Sequence, residues 1–295
     1  MQRSDVLSRP SRPPDLVLAY GEGEDRVADV RLKALPAEGH GRPPLVIFLH
    51  GGFWRAAYDR RHTGPLAEAL ADDGFVVCTP EYRKVGQAGG GWPGTFEDVA
   101  AAVDLLPRLI AEATDGLIDG SQVIIAGHSA GGHLALWSAA QQGPIARSGP
   151  GHGAEAGPRA GPVPRAAGRR GRVAVVSLAG VCDLAGTYRQ RLDNGAAGEL
   201  MGGAPEMFPD RYAIADPMSL TPIGVPIALV HGTSDDRVPW QQSQRFAAKA
   251  QASGDDVTST RIDGCGHFEV IDPLSVVWPT VLAVFRAAAA GLLRT

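Results

Sequence analysis

The sequence predicts an α/β fold, with a mainly parallel central sheet and helices on both faces. Three observations carry this. Short continuous runs of branched apolar residues, bounded by Gly or Pro, recur along the chain. Segments with apolar residues at three-to-four spacing lie between those runs. The 295 residues, 44% hydrophobic and 20% charged, provide enough material for one core of the size such a sheet requires.

Taken in order, residues 1–14 are polar, Pro-rich and Arg-bearing, and are expected to form a flexible N-terminal segment ahead of a single domain over 15–295. Residues 27–35 alternate in part, as a half-exposed edge strand does. Residues 45–49, 75–78, 123–126, 173–178 and 227–230 are continuous apolar runs that suit strands buried on both faces. Residues 257–262 read as a further strand. Helical periodicity covers 62–73, 95–113, 131–141, 240–252 and 273–293, and Pro107 predicts a kink or break in the second of these. Residues 143–172 are dense in Gly, Pro, Ala and Arg and nearly free of large hydrophobes. They read as a surface insertion between a helix and the next strand.

The net charge of −4 gives no electrostatic reason to expect nucleic acid or an anionic membrane as partner. A small molecule is the expected partner, and a homodimer is compatible with the sequence. The three cysteines, Cys78, Cys182 and Cys265, form no disulfide framework. The N-terminus has no apolar signal core, and no run approaches the ~18 apolar residues of a membrane span. A cytoplasmic enzyme is therefore expected. No cluster has metal-ligand spacing and no Gly-rich loop has a nucleotide-binding pattern, so neither metal nor cofactor is expected.

The chemistry is concentrated in four places. A buried strand runs into Gly127-His128-Ser129-Ala130-Gly131, and an apolar helix follows. A serine on a sharp strand-to-helix turn stands clear of the sheet, and flanking glycines permit the close backbone approach that turn needs. Ser129 is the expected nucleophile. The N–H of Ala130 is an expected oxyanion donor. His50-Gly51-Gly52-Phe53-Trp54 follows the strand at 45–49, and its Gly pair lets the loop aim the amides of Gly52 and Phe53 at the same oxyanion. His50 itself is expected to hold this loop. After the strand at 227–230, His231-Gly232-Thr233-Ser234-Asp235 places Asp235 at a strand end as the expected acid, with Asp236 a solvated charge or a partner of Arg237. Of the eight histidines only His267 lies downstream of Asp235. It is the expected base.

The remaining histidines carry lesser expectations. His128 and His133 are expected to pack or hydrogen-bond locally, His231 to shape the acid loop, and His40, His62 and His152 to face solvent. Trp54 and Tyr58 are candidate substrate contacts. Arg55, Arg83 and Arg237 are each candidates to meet a substrate carboxylate, with structural ion pairing the favoured role.

Together these motifs resemble the α/β-hydrolase superfamily. Within it, His50-Gly51-Gly52-Phe53-Trp54, the 127–135 run and His267-Phe268 with Ile271-Asp272-Pro273 are similar to the kynurenine formamidase (arylformamidase) and small carboxylesterase group. The resemblance implies a Ser129–Asp235–His267 triad. It also implies hydrolysis of an N-formyl arylamine such as N-formylkynurenine or, alternatively, of a short-chain ester. The 143–172 insertion departs from that pattern. A prolyl-oligopeptidase-type peptidase shares the C-terminal pattern, but its usual extra N-terminal domain has no room here. A non-catalytic ligand-binding protein of the same fold is the alternative from another class.

Overall fold

Eight strands form one sheet in the computed structural model, which describes residues 6–32, 42–116, 118, 120–142 and 172–294. They are β1 Leu16–Ala19, β2 Val27–Arg31, β3 Leu45–Leu49, β4 Val76–Pro80, β5 Gln122–His128, β6 Arg172–Leu178, β7 Ile227–Gly232 and β8 Val257–Ile262. Their spatial order is β1-β2-β4-β3-β5-β6-β7-β8. Strand β2 pairs antiparallel with β1 and with β4, and every other pairing is parallel. The α/β reading therefore holds, and this is an α/β-hydrolase fold.

The alternating side-chain directions of the central strands divide the core in two. Leu45, Ile47 and Leu49 face one apolar layer, and Val46 and Phe48 face the other. On the first side lie α2 (Gly94–Ala113), α3 (Ala130–Gln142) and α7 (Gln241–Ala252), through Phe96, Leu134 and Phe246. On the second lie α1 (Gly64–Asp72) and α8 (Trp278–Arg294), through Leu66 and Phe285. Burial on both faces explains why these strands read as unbroken apolar runs. Edge strand β8, by contrast, mixes half-buried and exposed positions.

Three expectations change. Strand β2 is not the edge, because β1 pairs outside it. Helix α2 runs unbroken through Pro107, which is itself buried. One lost N–H is offset there by Val103, Leu106 and Ile110, which hold the turns on either side against the core. Residues 6–14, expected to be flexible, lie against the domain: Val6 is buried, Arg9 pairs with Asp272 at 2.9 Å, and Arg12 pairs with Glu68 at 2.6 Å. The expected insertion at 143–172 lies outside the described residues up to Arg172, which opens β6.

Between β6 and β7 the chain makes three short helices that periodicity did not reveal: α4 (Leu184–Arg189), α5 (Ala196–Met201) and α6 (Pro209–Ala215). Buried Asp216 ties the start of α4 to the turn after α6, accepting from the amides of Leu184, Ala185 and Met218 at 3.0, 3.0 and 3.1 Å. No helix among the described residues is long and apolar enough to cross a membrane.

The β1–β2 turn, the loop after β4 and α2 meet at Asp98. Its fully buried carboxylate takes Arg26 Nε at 2.8 Å, and Arg83 through Nε and Nη2, both at 2.8 Å. Replacing Asp98 by Ala removes the buried carboxylate that both guanidinium groups share, leaving Arg83 its longer contact to Glu97 at 3.4 Å. We expect a loss of about 2–3 kcal/mol in urea unfolding, below the fully buried limit because both arginines retain some water.

Candidate active site

The turn from β5 into α3 places Ser129 at φ 56°, a left-handed backbone that serine adopts only under constraint. Three hydrogen bonds supply that constraint. The Ser129 N–H donates to Leu178 O at 2.9 Å, and its carbonyl accepts from Val181 at 3.1 Å and His133 at 3.2 Å. The turn also drives α3 against the end of β3: a Cβ on Gly131 would stand 2.0 Å from Leu49 O and 2.5 Å from His50 O. Ala130 opens α3, so its N–H lies in the first turn, where no intrahelical acceptor is available and the helix dipole favours negative charge.

The loop after β3 turns sharply, with Gly52, Phe53 and Trp54 at φ 113°, 49° and 60°. Gly52 also lies so close to Tyr58 that a Cβ would approach its ring to 2.5 Å. His50 holds this loop from within, as expected. It is fully buried and stacked on Tyr82 with centroids 4.3 Å apart, and its ring nitrogens lie 2.8 Å from Glu81 Oε1 and 2.8 Å from Gly51 O. Glu81 in turn takes Lys84 Nζ and the Arg60 amide.

Asp235 sits at the end of β7 with its carboxylate fully buried. Oδ2 lies 2.7 Å from His267 Nδ1 and 3.0 Å from His231 Nε2, and Oδ1 accepts the amides of Arg237 and Val238, both at 2.8 Å. Burial pushes this carboxyl up, but the bonds from His231 and His267 outweigh it and hold the group well below the ordinary carboxylate range. An ionised carboxylate only accepts, so His267 carries its proton on Nδ1 and leaves Nε2 as an acceptor in the neutral ring. His231 also meets Val238 O at 3.0 Å and Ser243 Oγ at 2.7 Å, and so shapes the acid loop as expected. Asp236 is exposed and lies 3.5 Å from Arg237, also as expected.

Ser129, His267, Gly52, Phe53 and Tyr58 line one open cleft, with roughly 390 Å³ of space including its solvent-filled mouth. Trp54 does not reach the cleft. It is fully buried and meets His133 edge-on at 5.2 Å, so its expected substrate contact is replaced by core packing. Arg55 is committed to Asp193 and Glu199, and Arg83 to Asp98, whereas Arg237 does line the cleft. His62 was expected to face solvent but lines the cleft, and burial holds its pKa down to about 4. Leu7 and Asp193 line it too. No motif in the sequence marked these three: Leu7 and Asp193 arrive from segments without recognisable periodicity, and His62 stands at the start of the expected helix at 62–73.

His128 lies beneath His267 with ring centroids 4.6 Å apart. Its Nε2–H donates to His267 O at 2.9 Å, and burial pushes its pKa well down. His133 donates from Nε2 to Ala215 O at 2.9 Å and is pushed down to about 4 by burial. Cys265, two residues before His267, is a buried thiol raised to about 12 by burial and the nearby charges of Glu269 and Asp235. It therefore stays protonated at neutral pH. Among the described residues no group of three or more His, Cys, Asp or Glu is placed to hold a metal ion.

A family model described as BD-FAE matches residues 33–250. The chain belongs to the BD-FAE family. Like this BD-FAE member, the solved carbohydrate esterase from gut microbiota has the fold, with a TM-score of 0.72 at 21% identity over 95% of this chain and all of that one. Esterase B from Lactobacillus rhamnosis also reaches 0.72, at 20% identity over 96% of this chain and 89% of its own. A probable isoprenylcysteine alpha-carbonyl methylesterase of Oryza sativa subsp. japonica is 26% identical over 87% of this chain and 58% of its own length. Kynurenine formamidase of Danio rerio is 32% identical over 39% of this chain and 35% of its own. A non-reducing polyketide synthase of Penicillium brasilianum is 32% identical over 43% of this chain, and the match spans 5% of the synthase. The chain thus covers less than two thirds of each curated relative. This BD-FAE member shares the α/β-hydrolase fold of those solved esterases.

The close approach at Gly131 makes Gly131→Ala a sharp test of the turn. The added methyl has backbone, not a movable side chain, as its neighbour, and we expect a loss of about 3 kcal/mol or failure to accumulate folded protein, read by urea unfolding. The buried histidines set a pH dependence. His62, His128 and His133 have folded pKa values depressed below the ordinary ~6.5, so the unfolded chain binds protons first. Stability should be full above about pH 6.5 and fall as pH drops towards about 4, and His133→Gln should make that fall shallower by one proton in a urea-midpoint titration.

Proposed function

We propose that this protein is a serine hydrolase that cleaves a small ester or amide through an acyl-enzyme on Ser129. One observation carries the reading: the 2.7 Å His267–Asp235 pair opens into the same cleft as a serine held at left-handed φ. In this mechanism His267 Nε2 takes the Ser129 hydroxyl proton as Oγ bonds to the carbonyl carbon. The resulting oxyanion rests on the Ala130 N–H and the N–H groups of Gly52 and Phe53. Collapse breaks the bond to the leaving alcohol or amine, which receives the proton from His267. Water, deprotonated by the same ring, then attacks the acyl carbon and restores Ser129. Asp235 keeps the ring in the required tautomer and offsets its transient positive charge.

Two substrate classes suit this machinery. The formamide class follows from the motifs at 50–54 and 127–135 and from the formamidase relative. The ester class is supported by the methylesterase relative, whose match spans 87% of this chain. The deciding assay compares kcat/KM for N-formylkynurenine with that for p-nitrophenyl acetate. Ser129→Ala and His267→Ala should each lower turnover by at least about 10⁴-fold with folding intact by circular dichroism. Wild-type-like turnover in Ser129→Ala would sink the reading, and a wild-type chain that turns over neither substrate and is not labelled by a fluorophosphonate probe would favour the ligand-binding alternative.

A further inference from the structure

The cleft has one wall that precedes the family match, which spans residues 33–250. Leu7 lines that wall. Its position is fixed by a series of anchors on both sides. Val6 is buried in the same apolar layer as Val281 and Phe285. Arg9 Nη2 donates to Asp272 Oδ2 at 2.9 Å, and Asp272 is a fully buried carboxylate five residues past His267. Arg31 Nη2 donates to Ser11 Oγ at 3.2 Å and to Arg12 O at 3.1 Å. The Arg12 amide and Nε hold Glu68 of α1 at 2.9 and 2.6 Å. The Asp15 amide donates to Val30 O at 2.9 Å, and the Asp15 carboxylate accepts the Leu32 amide at 2.7 Å. The segment is therefore tied to α1, to β2 and to the chain just past His267. Those ties span the two sides of the cleft that carry His62 and His267.

We propose that residues 6–15 form a fixed strap and that the Leu7 side chain sets the size of the substrate group the cleft accepts. The proposal rests on the reading of Ser129 as the nucleophile. It follows that size selectivity in this chain is set partly by a segment that relatives matched only through the family region need not share. An apolar wall discriminates by about 10–200-fold for each methylene it excludes or accommodates. Leu7 is only half-buried, so shortening it leaves the anchors at Val6 and Arg9 in place.

The experiment measures kcat/KM for p-nitrophenyl acetate and p-nitrophenyl hexanoate in wild type, Leu7→Ala and Leu7→Trp. A fluorophosphonate probe is applied in parallel to wild type and Ser129→Ala. We expect the hexanoate-to-acetate ratio to rise about tenfold in Leu7→Ala and to fall in Leu7→Trp. A ratio unchanged within twofold in both variants, with wild type labelled and Ser129→Ala unlabelled, overturns the strap's role and leaves the nucleophile standing. Equal labelling of wild type and Ser129→Ala, or none of either, overturns the Ser129 reading and the proposal with it.

Discussion

Everything at this site depends on the backbone at Ser129 being held in a conformation that serine avoids. A left-handed residue costs of order 1–3 kcal/mol and persists only where its surroundings over-determine it. Here the amide is tied to the end of β6, the carbonyl to Val181, and the next turn of helix is pressed against the carbonyls that end β3. The constraint therefore couples three neighbouring strands. It fixes where α3 begins, brings the Ala130 N–H beside the loop after β3, and leaves no room for a side chain at 131. The sheet supplies the rigidity and the loops beyond its carboxyl ends supply the chemistry, as in open α/β sheets generally.

The polar groups beneath the cleft follow from burial. Asp235 cannot be buried as a lone charge. It is surrounded by two imidazoles and two backbone amides, and this full set of donors both stabilises the carboxylate and orients His267. His231 does not reach the cleft wall, yet it occupies the second approach to Oδ2 and is itself held by Ser243. His128 supports the base from the other side through its backbone carbonyl. Burial keeps His128 neutral, so it adds a donor to the site without adding charge that would compete with His267 for Asp235.

The sheet was legible because its central strands are buried on both faces, so the run at residues 45–49 matches the observed strand at both ends. Glycine and histidine at fixed positions beside these strands made the loop at 50–54, the turn at 129 and the pair at 235 and 267 legible as well. Shorter elements were not. Strand β1 has four residues and alternates at an edge, and α4 to α6 have six or seven each, too few for helical periodicity to register. Trp54 illustrates a different limit. Its place in a turning loop suggested a cleft contact, but three consecutive left-handed residues swing it into the core against His133. Sequence spacing cannot give that direction.

The N-terminal segment shows why composition misled there. Residues rich in Pro and Arg bury little apolar area and read as solvated chain. Ordering them requires specific partners, and the partners are acidic groups dispersed over the fold: Glu68 and Asp72 on α1 and the buried carboxylate of Asp272. The last matters most. Asp272 accepts the Leu274 amide on Oδ1 and takes Arg9 on Oδ2, and Arg9 supplies its countercharge. A charge buried just past the base loop thus makes the far end of the chain part of the site's architecture, and the hydrophobic residue two positions before Arg9 is carried into the cleft as a consequence.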